Sequence, residues 1–216
     1  WNAFSNRYWP ALYLIDVQGH IRYHQFGEGG YEQSERMIQQ LLTEAGQMDV
    51  SDQVVTVDAQ GVETAADWNN LQSSENYVGY DRTRNFASPG GEVIDEPHIY
   101  EMPAQINPNA WALAGNWTME HSSLRLNEDN GRIFYRFHAR DLHLVMGPTA
   151  QGASVRFQVL VDGQPPLAAH GADVDERGHG TLSQQRLYQL IRQPEPIVDR
   201  QFEITFLNAG GEVYVF

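Results

Sequence analysis

The 216-residue sequence contains no cysteine and no lysine. Without cysteine there is no disulfide, no thiolate metal ligand and no thiol nucleophile. Without lysine all 14 basic residues are arginine, set against 28 acidic ones for a formal net charge of -14. Such a chain lacks the basic stripe that nucleic-acid binding needs to release counterions, and anionic lipid headgroups repel it. Long apolar runs are missing too, since nothing approaches the roughly 20 residues of a membrane-spanning helix. The chain is therefore expected to make no membrane contact of its own, with any export signal or anchor lying outside it. No internal repeat, low-complexity tract or local Ser/His/Asp signature is visible. Paired carboxylates are expected by chance in so acidic a chain and do not point to a glycosidase.

What is present is a globular composition, 41% hydrophobic and 11% aromatic, with length enough for a substantial core. The first 46 residues read as strand, strand and helix. "ALYLID" (11–16) is a continuous apolar run, the signature of a buried strand, and "DVQG" closes it with a turn. "HIRYHQF" (20–26) alternates, as the second strand of a hairpin does. "GEGG" (27–30) breaks the chain as a tight turn, and "YEQSERMIQQLLTEAG" (31–46) carries apolar residues at helical spacing with Gly46 as its stop. A two-stranded ribbon with one helix buries too small a core to stand alone. The strand at 11–16 should then present a bare apolar edge, a template for pairing.

Residues 47–69 are polar and acidic and read as a connector. From residue 70 to 216 the pattern becomes one of short strands: "RIFYRFH" (132–138), "DLHLVM" (141–146), "VRFQVLV" (155–161), "RLYQLI" (186–191), "QFEITFL" (201–207) and "EVYVF" (212–216). Turns such as "EDNG", "DGQPP" and "NAGG" divide them. The expected fold class is mainly β, α+β overall, with a jelly-roll sandwich of about eight strands after the ββα unit.

The stretch "WNAFSNRYWPALYLIDVQGHIRYHQFGEGGYEQSERMIQQLL" (1–42) resembles the second half of the thioredoxin-like segment in the DipZ group of cytochrome c biogenesis proteins and their TlpA-like redoxin relatives. "YVGYDRTRNF" (77–86), "WALAGNW" (111–117), "FHARDLHLVM" (137–146) and "RLYQLI" (186–191) resemble the β-rich domain that follows in the same group. The resemblance implies thiol–disulfide oxidoreductase chemistry outside the cytoplasm and an attached sandwich like a carbohydrate-binding module. It implies that Pro10 is the cis-proline facing the substrate, with Trp9 before it. The family's Cys-x-x-Cys pair has no counterpart here, so this chain alone has no catalytic residue for disulfide exchange. The expected partners are the missing first half of the thioredoxin fold, or a second copy, along the edge at 11–16.

In the sandwich, Trp111, Trp117 and Tyr80 are either core filling or flat faces on which sugar rings stack. Arg140 and Asp141 are either a structural ion pair or, with His143, a polar ligand-binding cluster. Asp173 and Asp175 in "DVDERGHG" make an oxygen-rich turn that is the one calcium candidate, although the spacing departs from the EF-hand pattern. No cofactor is expected. The sequence thus points to the C-terminal portion of an exported redox protein whose sandwich binds carbohydrate or positions the redox domain. The alternative is a non-catalytic protein–protein interaction module with the ββα unit as scaffold.

Overall fold

The computed structural model describes every residue except Trp1, Trp9, Glu28, residues 56–58, Gln60, Val62 and Glu63. The chain forms two units, Trp1–Asp58 and Ala59–Phe216.

In the first unit, strands β1 (Ala11–Ile15) and β2 (Ile21–Phe26) pair antiparallel. Asp16 sets the turn between them, its Oδ1 accepting from the N–H groups of Gln18 at 3.0 Å and His20 at 2.9 Å. At the open end of the hairpin the Gly27 N–H donates to the Pro10 carbonyl at 2.9 Å. The cis geometry expected at Trp9–Pro10 lies outside the described residues. Helix α1 (Tyr31–Glu44) follows, and Gly46 ends it with φ +87° and its N–H on the Thr43 carbonyl. These elements fall where the alternation and the helical spacing put them.

Burial does not follow. The buried strand expected at 11–16 is corrected by Leu12 and Ile15, which are 40% and 48% exposed within the chain. The reason is that β1 has one neighbour, β2, among the described residues. A continuous apolar run is shaped for partners on both sides.

The second unit is almost entirely β. Its strands are β3 (Pro97–Tyr100), β4 (Trp111–Met119), β5 (Leu124–Leu126), β6 (Gly131–Phe137), β7 (Asp141–Pro148), β8 (Val155–Val161), β9 (His179–Leu182), β10 (Arg186–Arg192), β11 (Arg200–Phe206) and β12 (Gly211–Val215). The six runs read as strands between 132 and 216 are β6, β7, β8, β10, β11 and β12. The expected count of about eight is corrected to ten among the described residues.

All ten belong to one hydrogen-bonded sheet, in the order β10-β7-β12-β5-β4-β6-β11-β8-β9 with β3 also on β4. Strand β4 makes this possible by serving two leaves. Its residues 111–114 pair with β6, whereas 115–118 pair with β3 and 117–119 with β5. The change of partner falls at Gly115, whose φ of +97° bends the strand. The two leaves then face each other across one core. Leu142, Leu144 and Met146 of β7 and Phe202, Ile204 and Phe206 of β11 alternate inward. Trp117 of β4 meets Phe206 edge-on at 5.7 Å, and Phe157 of β8 meets Tyr188 of β10 at 6.3 Å.

A side chain at Gly115 would suffer twice, from its positive φ and from a Cβ placed 3.1 Å from the Gly131 Cα. Gly115→Ala is expected to lower unfolding free energy in urea by about 2–3 kcal/mol. Gly152→Ala, with φ +78° but nothing within 4 Å of the new Cβ, should cost only about 1 kcal/mol. Equal losses would show that the bend tolerates a side chain.

Candidate functional site

The polar cluster at 140–143 is assembled where β7 begins. Asp141 is its hub. Its Oδ2 accepts from Arg140 Nε at 2.8 Å and Nη2 at 2.7 Å, and its Oδ1 accepts from Arg192 Nε at 2.6 Å. Arg192 lies directly opposite Asp141 in the β7–β10 register, so the pairing follows from cross-strand geometry. Both guanidinium groups reach further. Arg140 donates to the Ala65 carbonyl at 2.8 Å, and Arg192 donates to the Gly61 carbonyl at 2.8 Å and the Thr64 hydroxyl at 3.2 Å. Arg140 and Arg192, both held by Asp141, therefore form a clasp that ties the incoming chain to the sandwich.

The same chain continues as a wall. The Gln72 N–H donates to the His138 carbonyl at 3.0 Å, and the His138 N–H donates to Ser73 Oγ at 2.8 Å. The His138 ring is held between Asp199, 2.7 Å from Nδ1, and the Gln72 side chain, 3.2 Å from Nε2. That hydrogen bond to His138 is the main reason the Asp199 carboxyl titrates below the usual carboxylate range.

Wall and sheet enclose an open cleft of about 330 Å³, the low end of ligand-pocket size. Leu71, Ser73, Ser74 and Glu75 form its wall. Val215, Val145 and Leu187 form its floor, and they are partners in successive strands, Val215 with Val145 and Val145 with Leu187. Asp141 and His143 stand on one flank. Burial pushes the His143 imidazole below its ordinary range, and the opposing pull of Asp141 is smaller. The ring is neutral near pH 7, and with Nε2 facing the Gln189 side-chain amide at 3.5 Å it has Nδ1 to offer a ligand.

The structure brings Arg140, Asp141 and His143 together and separates the other expected contacts from them. Trp111 and Trp117, expected as candidate sugar platforms, are corrected to core residues with no exposed surface. Their indole N–H groups are used internally, by the carbonyls of Arg84 and Ala114. Tyr80 is half-buried, with its hydroxyl donating to Asp95 at 3.1 Å and its ring edge-on to His121. Asp173 spends its carboxylate on Arg186 and the Gln189 N–H. Asp175 accepts from the N–H groups of Arg177 and His179. Among the described residues no group of three or more acidic or histidine side chains is placed to hold a metal ion.

The cleft floor is not legible in the sequence, because Val145, Leu187 and Val215 read as ordinary strand residues. Trp68, placed in the connector by composition, is 62% exposed only three residues before the wall begins at Leu71.

Two measurements test this site. Asp141→Asn leaves two guanidinium groups without their counter-charge, and it should cost about 2 kcal/mol of stability, with faster amide exchange at residues 64–75. Unchanged exchange there would remove the clasp. The second concerns His143. Because its folded-state proton affinity is lowered, the unfolded chain takes up the proton first, so stability falls as pH drops through the ordinary histidine range near 6.5. His143→Gln should show a flatter stability profile than the parent between pH 7 and 5.

The sequence model for the thioredoxin-like C-terminal domain matches residues 73–216, from the cleft wall through β12. Two curated relatives, Protein DipZ of Mycobacterium bovis and Protein DipZ of Mycobacterium tuberculosis, are each 31% identical over 166 residues. That alignment takes in 76% of this chain and 22% of each relative. The chain thus spans about a fifth of the length of the curated relatives it matches. Since the matched residues are those that build the two-leaved sheet and its cleft, the chain belongs to the thioredoxin-like C-terminal domain family, as a DipZ-like C-terminal region.

Proposed function

We propose that this chain is the C-terminal portion of an extracytoplasmic DipZ- or TlpA-like thiol–disulfide oxidoreductase, and that its sandwich binds carbohydrate in the cleft beside His143. The chain has no cysteine, so disulfide exchange belongs to residues outside it. The sandwich then serves to hold the redox unit near its place of work.

The observation that carries the carbohydrate reading is the composition of the cleft. Its floor is apolar, and the Asp141 carboxylate beside it is held in ion pairs with Arg140 and Arg192, with Glu75 of the wall as the other acidic lining residue. His143 is neutral. A site of that kind suits an uncharged ligand with an apolar face and hydroxyls at its edges, which is a sugar ring.

Isothermal titration with neutral gluco-, manno-, arabino- and N-acetylgluco-configured sugars tests this. Binding should weaken about tenfold in His143→Ala and in Leu187→Asp. Leu187 is 43% exposed, so its replacement leaves the core untouched. Absence of binding across the panel, with the fold intact by circular dichroism, would sink the carbohydrate reading.

The first unit carries a separate proposal. The bare edge of β1 belongs against the first half of a thioredoxin fold, which supplies the second neighbour its apolar run is shaped for. In a polypeptide extended N-terminally, the β1 amides that point away from β2 should be protected from exchange, and in residues 1–216 alone those amides should exchange freely. A dimer by light scattering, with protection in the short chain, would assign the edge to a second copy instead.

A further inference from the structure

The cleft floor does not end at the cleft. Val215 is bridged on its far side by Tyr77, so the row Tyr77, Val215, Val145, Leu187 crosses four adjacent chain segments in register. At the usual strand spacing this row is about 14 Å long. The orientation of its first member follows from its neighbour. Val78 is fully buried in the core, and alternation along an extended segment puts Tyr77 on the opposite, outer face.

Tyr214 stands beside the row. The register shift between Val213 and Val215 makes it the extra residue of a bulge in β12. Its hydroxyl is pushed up to about 12, first by burial and then by its hydrogen bond to Glu212. It therefore remains neutral at any physiological pH, its proton donated to Glu212 and its oxygen left as an acceptor. Glu212 is also held by the Ser123 hydroxyl at 2.9 Å, which fixes the pair. At the end of the row the Arg82 guanidinium lies 3.6 Å over the Tyr77 ring. Arg82 is exposed and makes no ion pair among the described residues.

We infer that the outer face of this leaf is an extended binding track for a neutral oligosaccharide, with one sugar in the cleft and the following units crossing Val215 to Tyr77 and Tyr214. This rests on the carbohydrate reading of the cleft and adds the chain length of its ligand. The length of the row suits several linked rings rather than one. Glu212 and Tyr214 beside it are paired within the protein and the Arg82 guanidinium is stacked on Tyr77, which favours an uncharged chain. A folded protein partner is disfavoured by size. One row of side chains offers on the order of 100 Å², far below the roughly 800 Å² that each side of a stable protein interface buries.

The test is a chain-length series by calorimetry, using the monomer, trimer and hexamer of whichever sugar configuration in the panel binds. The trimer should bind at least about tenfold tighter than the monomer, since an added ring stacked on tyrosine contributes on the scale of an aromatic contact. Tyr77→Ala should remove most of that gain while leaving the monomer within about twofold. Arg82→Ala, a fully surface change, is the second variant and should act in the same direction if Tyr77→Ala proves unstable. Equal affinity for monomer and trimer, or a trimer indifferent to both variants, overturns the track but leaves the cleft. No binding by any sugar overturns both, as does capture of the face by a peptide or protein in competition.

Discussion

The second unit depends on a single close approach, that of the Gly115 backbone to Gly131. Strand β4 can pair with β6 over its first half and with β3 and β5 over its second only if it bends between them. The bend places two backbones where no side chain fits. At Gly131 a Cβ would meet Leu126 Cδ1 at 2.1 Å and the Trp117 ring at 3.0 Å. Because one strand passes from leaf to leaf, the two leaves need no separate means of registering on each other. Trp117 and Phe206 meet as a result. So does the placement of the outer face that carries the cleft, since β7, β10 and β12 all take their positions from the leaf that begins at the second half of β4.

Much of this was legible from residues and some was not. Phe202, Ile204 and Phe206, or Leu142, Leu144 and Met146, alternate so regularly that their strands and inner faces could be read directly. Strand β4 hides because "WALAGNWTM" is buried on both faces along much of its length and is broken by glycine, so it shows no period of two. The short β5 and β9 hide because three or four residues carry too little pattern. In the first unit β1, β2 and α1 are legible while the short 3-10 turn at Asn2–Phe4 is not, and β1 is less buried than its apolar run suggests. An apolar run states what a strand needs, and this chain does not itself supply it.

The candidate site divides in the same way. Arg140, Asp141 and His143 stood out because polar residues clustered near one strand. Arg192, the second counter-charge, was invisible, since only the β7–β10 register brings it opposite Asp141. The tryptophans attracted attention by their type and turned out to be the interior of the molecule. The side chains that shape the outer surface are valines, a leucine and two tyrosines whose significance comes from lying in one row across four segments. Rows of that kind are a property of pairing, and no linear pattern records them.

The clasp also bears on how this family can diverge. Arg140 and Arg192 grip the incoming chain through the carbonyls of Ala65 and Gly61, groups that every residue carries. What holds the segment is thus written mostly in the sandwich, with the Thr64 hydroxyl as the segment's own side-chain contribution. The side chains at the positions of Gly61 and Ala65 can change without loosening those carbonyl contacts. Variation among relatives should accumulate there faster than in the two arginines that hold it.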